Sequence, residues 1–162
     1  MVRQGMMKEI EHEGAETKKM LERVPFDKFN WKPHEKSKTL GELATHVAEI
    51  PRWTSRILTS TDFTAGGYKP TEVKSTDDLV KLSETLVQKA IADLQAASDE
   101  DMMTLWSLKF GEHVVFTLPR VAAIRAMSIS HMIHHRGQLS VYLRLLDIPV
   151  PGMYGPSADE RR

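Results

Sequence analysis

At 162 residues the chain has the length of one domain, or at most two very small ones. Hydrophobic residues make up 41% of it, enough for a sizeable core, which excludes a disordered chain. The absence of cysteine removes disulfides, thiolate metal sites and cysteine nucleophiles, and 22 basic residues against 22 acidic ones argue against a nucleic-acid footprint.

The first helical pattern runs from about Arg3 to Val24, with Met7, Ile10, Gly14, Thr17, Leu21 and Val24 three and four apart. Pro25 ends it, and a loop follows to Lys38. Thr39 to Glu42 is a Thr-x-x-Glu capping box that opens a second helix through Leu43, Val47, Ile50, Trp53 and Ile57. Pro51 lies inside that pattern and predicts a kink or an early end. Ala65 to Pro70 is a loop. A third helix begins near Ser75-Thr76-Asp77 with the stripe Leu79, Leu82, Leu86, Ala90 and Leu94. Trp106, Leu108 and Phe110, then Val114, Phe116 and Leu118, alternate around Gly111-Glu112 and predict a short β-hairpin. A fourth helix starts near Thr117–Pro119 and runs to about Leu146, before a proline- and glycine-rich tail.

These elements predict one all-α domain over 1–162, an antiparallel four-helix bundle with the hairpin between helices three and four. No apolar run has the length of a signal-peptide core, and none reaches the roughly 18 residues of a membrane span, so a cytoplasmic protein is expected.

Seven histidines are the distinctive polar resource. Positions four apart differ by only about 40° around a helix, so His131 and His135 share a face one turn apart. That face also carries Val121, Ile124, Ser128, Leu139, Tyr142 and Leu146, and His134 lies at its edge. On helix two, His46 falls among Leu43, Ile50, Trp53 and Ile57. Three inward histidines offer a facial set of nitrogens to one divalent ion, with positions left open for water or substrate. The competing reading is a set of core histidines hydrogen-bonded to neighbours. Other metal signatures fail. There is no His-Glu-x-x-His run, and only Glu9-Ile10-Glu11-His12 fits the Glu-x-x-His half of a di-metal site.

Leu40-Gly41-Glu42-Leu43-Ala44-Thr45-His46 followed by Trp53, and His131-Met132-Ile133-His134-His135-Arg136-Gly137-Gln138-Leu139, resemble the DinB-like (DinB/YfiT) superfamily. The closing Pro149-Val150-Pro151-Gly152 with Tyr154-Gly155 is similar to the tail of many members. The resemblance implies an up-down-down-up bundle, often dimeric, with a divalent metal on His46, His131 and His135, and with residues Ser60 to Ser75 as the crossover. Zinc or nickel suits such a set. Characterised members of the superfamily include a bacillithiol transferase and a mycothiol-dependent maleylpyruvate isomerase, so a low-molecular-weight thiol is an implied cofactor.

The leading expectation is a metal-dependent enzyme of the thiol-transferase or hydrolase type acting on a small molecule, its catalytic residues beyond the metal unassigned. Gln138, about 20° from His131 around the helix, and Tyr142, one turn on, are expected to contact water or substrate, with an ordinary core aromatic the competing reading for Tyr142. Trp53 and Trp106 read as packing or as an apolar wall, and Glu49, about one turn from His46, as the nearest carboxylate to the site or, more simply, a solvated helix-flank charge. The alternative is a non-catalytic, metal-stabilised dimeric stress-response or interaction protein. Its homodimer surface would be the opposite face of helix four, with Ala122, Ala126, Ile129, Ile133, Gly137 and Ser140, the competing reading being that this face packs in the monomer's own core. Neither nucleic acid nor membrane is expected as a partner.

Overall fold

The computed structural model describes residues 2–160, which are mostly helical with one small three-stranded sheet. Helix α1 spans Val2–Leu21, α2 Leu40–Glu49, α3 Arg52–Thr59 and α4 Thr76–Ala96. Strands β1 (Asp62–Ala65), β2 (Leu105–Phe110) and β3 (His113–Pro119) follow α3 and α4. Helix α5 (Arg120–Ile124) continues through a π-helical stretch, Arg125–Ser130, into α6 (His131–Leu145).

Each start and stop has a local cause. The Thr39 hydroxyl accepts from the Glu42 amide while the Glu42 carboxylate accepts from the Thr39 amide, so both halves of the capping box form. Ser75 caps α4 by accepting from the Asp78 amide. Pro51 has no N–H for the Val47 carbonyl, and the expected second helix is divided there into α2 and α3 with Ile50 and Pro51 still in helical conformation. At the hairpin tip Gly111 takes a φ of +56°, which a glycine adopts without strain.

The hairpin pairs antiparallel as expected, with Trp106 opposite Leu118 and a bulge between Leu108 and Lys109. The crossover holds a strand that the sequence pattern does not announce: β1 pairs parallel to β2, Phe63 against Leu108, with Asp62 held to Lys109 at 2.9 Å. Four residues are too few to display an alternation of their own, and their partners lie more than forty positions away.

Helix ends meet across the chain. Arg3 donates to the carbonyls of Gln95 and Ala97, and Thr76 donates to Val24 O, so each end of α1 meets the opposite end of α4. Tyr142 near the end of α6 donates to Lys38 O just before α2, and Arg120 at the start of α5 donates to Ser60 O just after α3.

The core has two apolar clusters. One gathers Met6, Ile10, Ile57, Leu94, Trp106, Ile124 and Ile129 beside the sheet; the other gathers Met20, Leu21, Leu40, Leu43, Val47, Leu79, Leu139 and Leu143. Along α1 and α6 the polar groups fall between them. Arg136, 2% exposed, pairs with Glu13 at 2.6 Å and also donates to Thr17, the Glu13 carbonyl and the Tyr154 hydroxyl. This network fastens the tail to the body, and no sequence pattern marks it.

The π-helical stretch corrects the regular 100° arithmetic across the fourth helix. Ser128 and Ile129 are both buried, so on the face opposite the histidines Ile129 and in part Ile133 pack in the core, while Ala126 and Gly137 are exposed. The stripe offered as a dimer surface is therefore partly consumed within the chain.

Close approach also explains one glycine. A Cβ on Gly41 would lie 2.6 Å from Phe29 Cδ2, 2.9 Å from its Cγ and 3.1 Å from its Cβ, so the stem of the ring blocks it as well as the edge. Overpacking of about 1–3 kcal/mol should outweigh the roughly 1 kcal/mol that alanine gains in a helix. Gly41→Ala is expected to lower the urea midpoint with an unchanged slope.

Candidate metal centre

His46 sits on the last turn of α2, directly before the Pro51 break, and His131 opens α6 directly after the π-helical stretch. His135 follows one turn later. The break and the widened stretch leave this geometry intact, because the pair four apart lies wholly inside regular α6. One ring nitrogen from each of the three histidines lies within 4.8 Å of the others, and the three rings are partly buried. The Nε2 atoms of His46 and His131 are 3.2 Å apart.

Two rings are oriented from behind. His131 Nδ1 donates to the Met127 carbonyl at 3.3 Å, and His135 Nδ1 donates to Gln138 Oε1 at 2.7 Å. A carbonyl oxygen can only accept, so both rings carry their proton on Nδ1 and leave the Nε2 lone pair free. Between His131 and His46 the Nε2–H then belongs to His46. Burial, followed by the neighbouring histidines, pushes His46 down to about 4; burial likewise lowers His131 and His135. All three are neutral near pH 7, the form in which imidazole ligates a metal.

Gln138 is in place, but on a different ring from the one helix arithmetic chose. It lies three residues after His135 and four after His134, and its amide bridges those two; its NH2 donates to His134 Nε2 at 3.1 Å. His134 is exposed and outside the three-nitrogen group. Tyr142 is a partly buried aromatic, edge-on to Trp31 at 5.7 Å, and lines a shallow depression beside His135 and Gln138.

A more enclosed opening lies on the other side, against His46 and His131. It is a cavity of about 450 Å³ walled by Trp53, Phe63 and the crossover loop from Ala65 to Lys69. Trp53 therefore lines it, whereas Trp106 is fully buried packing whose Nε1 donates to Ser60 Oγ. Glu49 corrects the expectation of a solvated charge: it is 5% exposed and faces the cavity. Its carboxylate accepts from the Tyr68 hydroxyl, the Thr71 hydroxyl and the Thr71 amide, and Arg52 approaches at 3.2 Å. Burial opposes ionisation of Glu49, but these donors outweigh it and lower its pKa. Burial and Glu49 raise that of Tyr68, whose ring stands edge-on to His46. Sequence reasoning missed Tyr68 and Thr71, since loop residues carry no period that would aim them at a helix. The spacing His46, Glu49, Arg52, one helical turn per step, was the available signal.

Comparison with known proteins agrees with this architecture. The chain is 29% identical over 133 residues to YjoA of Bacillus subtilis, covering 79% of this chain and 80% of YjoA. It is 27% identical over 158 residues to YrdA of the same organism, covering 95% and 89%. Both relatives are described as uncharacterized proteins. The crystal structure of YjoA, a DinB-like protein, superposes with a TM-score of 0.71 at 20% identity, over 98% of this chain and 99% of that one. A DinB-like protein from Bacillus cereus superposes at 0.72 with 25% identity, over 93% and 97%. The DinB family model matches residues 1–162, and the chain belongs to the DinB family.

Proposed function

We propose that His46, His131 and His135 hold one divalent ion, zinc or nickel, and that the centre is catalytic, of the thiol-transferase or hydrolase type. The observation that carries this reading is the convergence of three neutral imidazoles beside a cavity. The donor set fits. Ligands about 2.0–2.1 Å from a tetrahedral ion are about 3.3 Å apart, against the 3.2 Å between the Nε2 atoms of His46 and His131. His131 and His135 already present lone pairs, held by Met127 and Gln138, and only His46 must move its proton from Nε2 to Nδ1.

When bound, such an ion supplies Lewis acidity that makes a water or a low-molecular-weight thiol nucleophilic near neutral pH. The chain's own groups do the rest. Trp53 and Phe63 shield one side of the cavity from water, and Glu49, by accepting the Tyr68 hydroxyl, holds that ring edge-on to His46 and orients the loop that walls the cavity. The cavity supports catalysis over a purely structural ion, because a structural site closes around its metal.

The end-to-end contacts support an up-down-down-up four-helix bundle forming a single domain, with α2 and α3 as the second helix and α5 through α6 as the fourth. We place this protein in the cytoplasm as a homodimer acting on a small molecule. Among the described residues no helix is long and apolar enough to cross a membrane. Exposed Val141 and Leu145 on α6 offer apolar surface to a second copy.

Plasma mass spectrometry of the purified protein is expected to find about one zinc or nickel per chain, and His131→Ala, still folded by circular dichroism, should lose it. Protein that stays metal-free after reconstitution would refute the reading.

A further inference from the structure

The cavity beside His46 and His131 is lined by three cations, Arg52, Arg56 and Lys69, and by one carboxylate, Glu49. Glu49 is spent on Tyr68, Thr71 and Arg52, and Arg52 in turn also donates to Thr71. Arg56 has no such partner. Among the described residues its guanidinium has no hydrogen bond or ion pair to an acceptor, although it is half-buried. It is nevertheless held in place, stacked with its central carbon 4.0 Å from the Phe63 ring centre and 5.0 Å from that of Trp53. Burial and the like charge of Arg52 both act against the cation, lowering its pKa.

We propose that Arg56 is the substrate anchor of this cavity and that the ligand is a small carboxylate with an aromatic or apolar body. The planar fork of a guanidinium matches two carboxylate oxygens, and the two rings that clamp Arg56 also present apolar surface to the body of the ligand. A volume of about 450 Å³ is in the range of small-molecule sites. A single free fork fits a monoanion; a phosphate dianion calls for more donors, and among the described residues lining the cavity Lys69, on the exposed loop, is the sole further cation without a bonded acid. With the carboxylate on Arg56, the other end of the ligand is left to face His46 and His131. That orientation rests on the reading of the three histidines as the reactive centre, whereas the anion subsite stands on Arg56 alone.

The test measures binding without turnover. Phenylacetate, phenylacetamide and phenyl phosphate are titrated by calorimetry into metal-free protein and into the zinc-loaded form. Phenylacetate is expected to bind metal-free protein at least tenfold more tightly than its neutral amide or the phosphate. Arg56→Gln should abolish the preference over the amide, Arg56→Lys should keep only part of it, and the surface variant Arg125→Gln should leave it intact. Equal binding of acid and amide, tighter binding of the phosphate, or a preference that survives in folded Arg56→Gln would overturn the proposal. So would carboxylate binding that demands zinc and ignores Arg56. Because the metal-free arm does not depend on the ion, a failed metal reading and a failed anion subsite give different results.

Discussion

Arg136→Leu is expected to be the most damaging single change away from the histidines, lowering stability by about 3–5 kcal/mol. For a chain of this length that corresponds to a fall of about 6–20 °C in thermal midpoint. The cause is what remains behind. Glu13 is 5% exposed and its carboxylate has two partners, Arg136 at 2.6 Å and the Tyr154 hydroxyl at 2.8 Å. Without the guanidinium a buried charge keeps one neutral donor, and Thr17 and the Glu13 carbonyl each lose a donor as well. Tyr154→Phe, which removes one hydroxyl from the same network, should cost only about 1 kcal/mol. The double variant Glu13→Leu/Arg136→Leu should be less damaging than Arg136→Leu alone, since apolar replacements leave no unpaired charge. Thermal denaturation of the four proteins decides it. A midpoint for Arg136→Leu within about 2 °C of the parent, less than 1 kcal/mol, would show that the pair contributes little.

The same arginine shows where sequence reading stops. Arg136 stands inside the histidine motif, one position from a ligand, where nothing local marks it for burial. Its burial depends on Glu13, 123 positions away, and on a tail that looks irregular. By contrast the histidine triad was legible, because His131 and His135 are related by four residues of one helix and His46 by the apolar stripe of another. Helix ends were legible for the same local reasons: the capping box at Thr39, the proline at 51, the serine cap at 75. What escaped was non-local or non-periodic. Strand β1 exists only through its pairing with β2, Glu49 is buried only because the crossover loop folds over it, and the π-helical stretch shifts the faces of the fourth helix with no breaker residue to announce it. The first two of those omissions share one location. The crossover from 60 to 75 supplies Phe63, Tyr68 and Thr71, so the cavity wall opposite the legible ligands was the part that could not be read.

Acidification should separate a built metal centre from incidental histidines. His46 titrates near 4 in the folded metal-free protein and near 6.5 when unfolded, and His131 and His135 are shifted the same way. A depressed native pKa means that the unfolded chain binds more protons through this interval. The stabilising contribution of the neutral rings is therefore complete above about pH 6.5 and is lost as the pH falls toward about 4. Metal-free protein should accordingly lose thermal midpoint between pH 7 and 5, and His46→Gln should lose less over the same range. Metal at a thousandfold its dissociation constant should add about 4 kcal/mol to the parent and nothing comparable to the variant. The lowered pKa values also protect the metal. Protons compete for histidines of ordinary pKa once the pH passes below about 6.5, whereas here the zinc- or nickel-induced shift should persist to about pH 5. Differential scanning fluorimetry from pH 8 to 5, with and without metal, reads both effects. A metal-free midpoint that is flat across that range, or a metal-induced shift that vanishes at pH 6.5, would mean that the three rings are hydrated rather than packed as the fold places them.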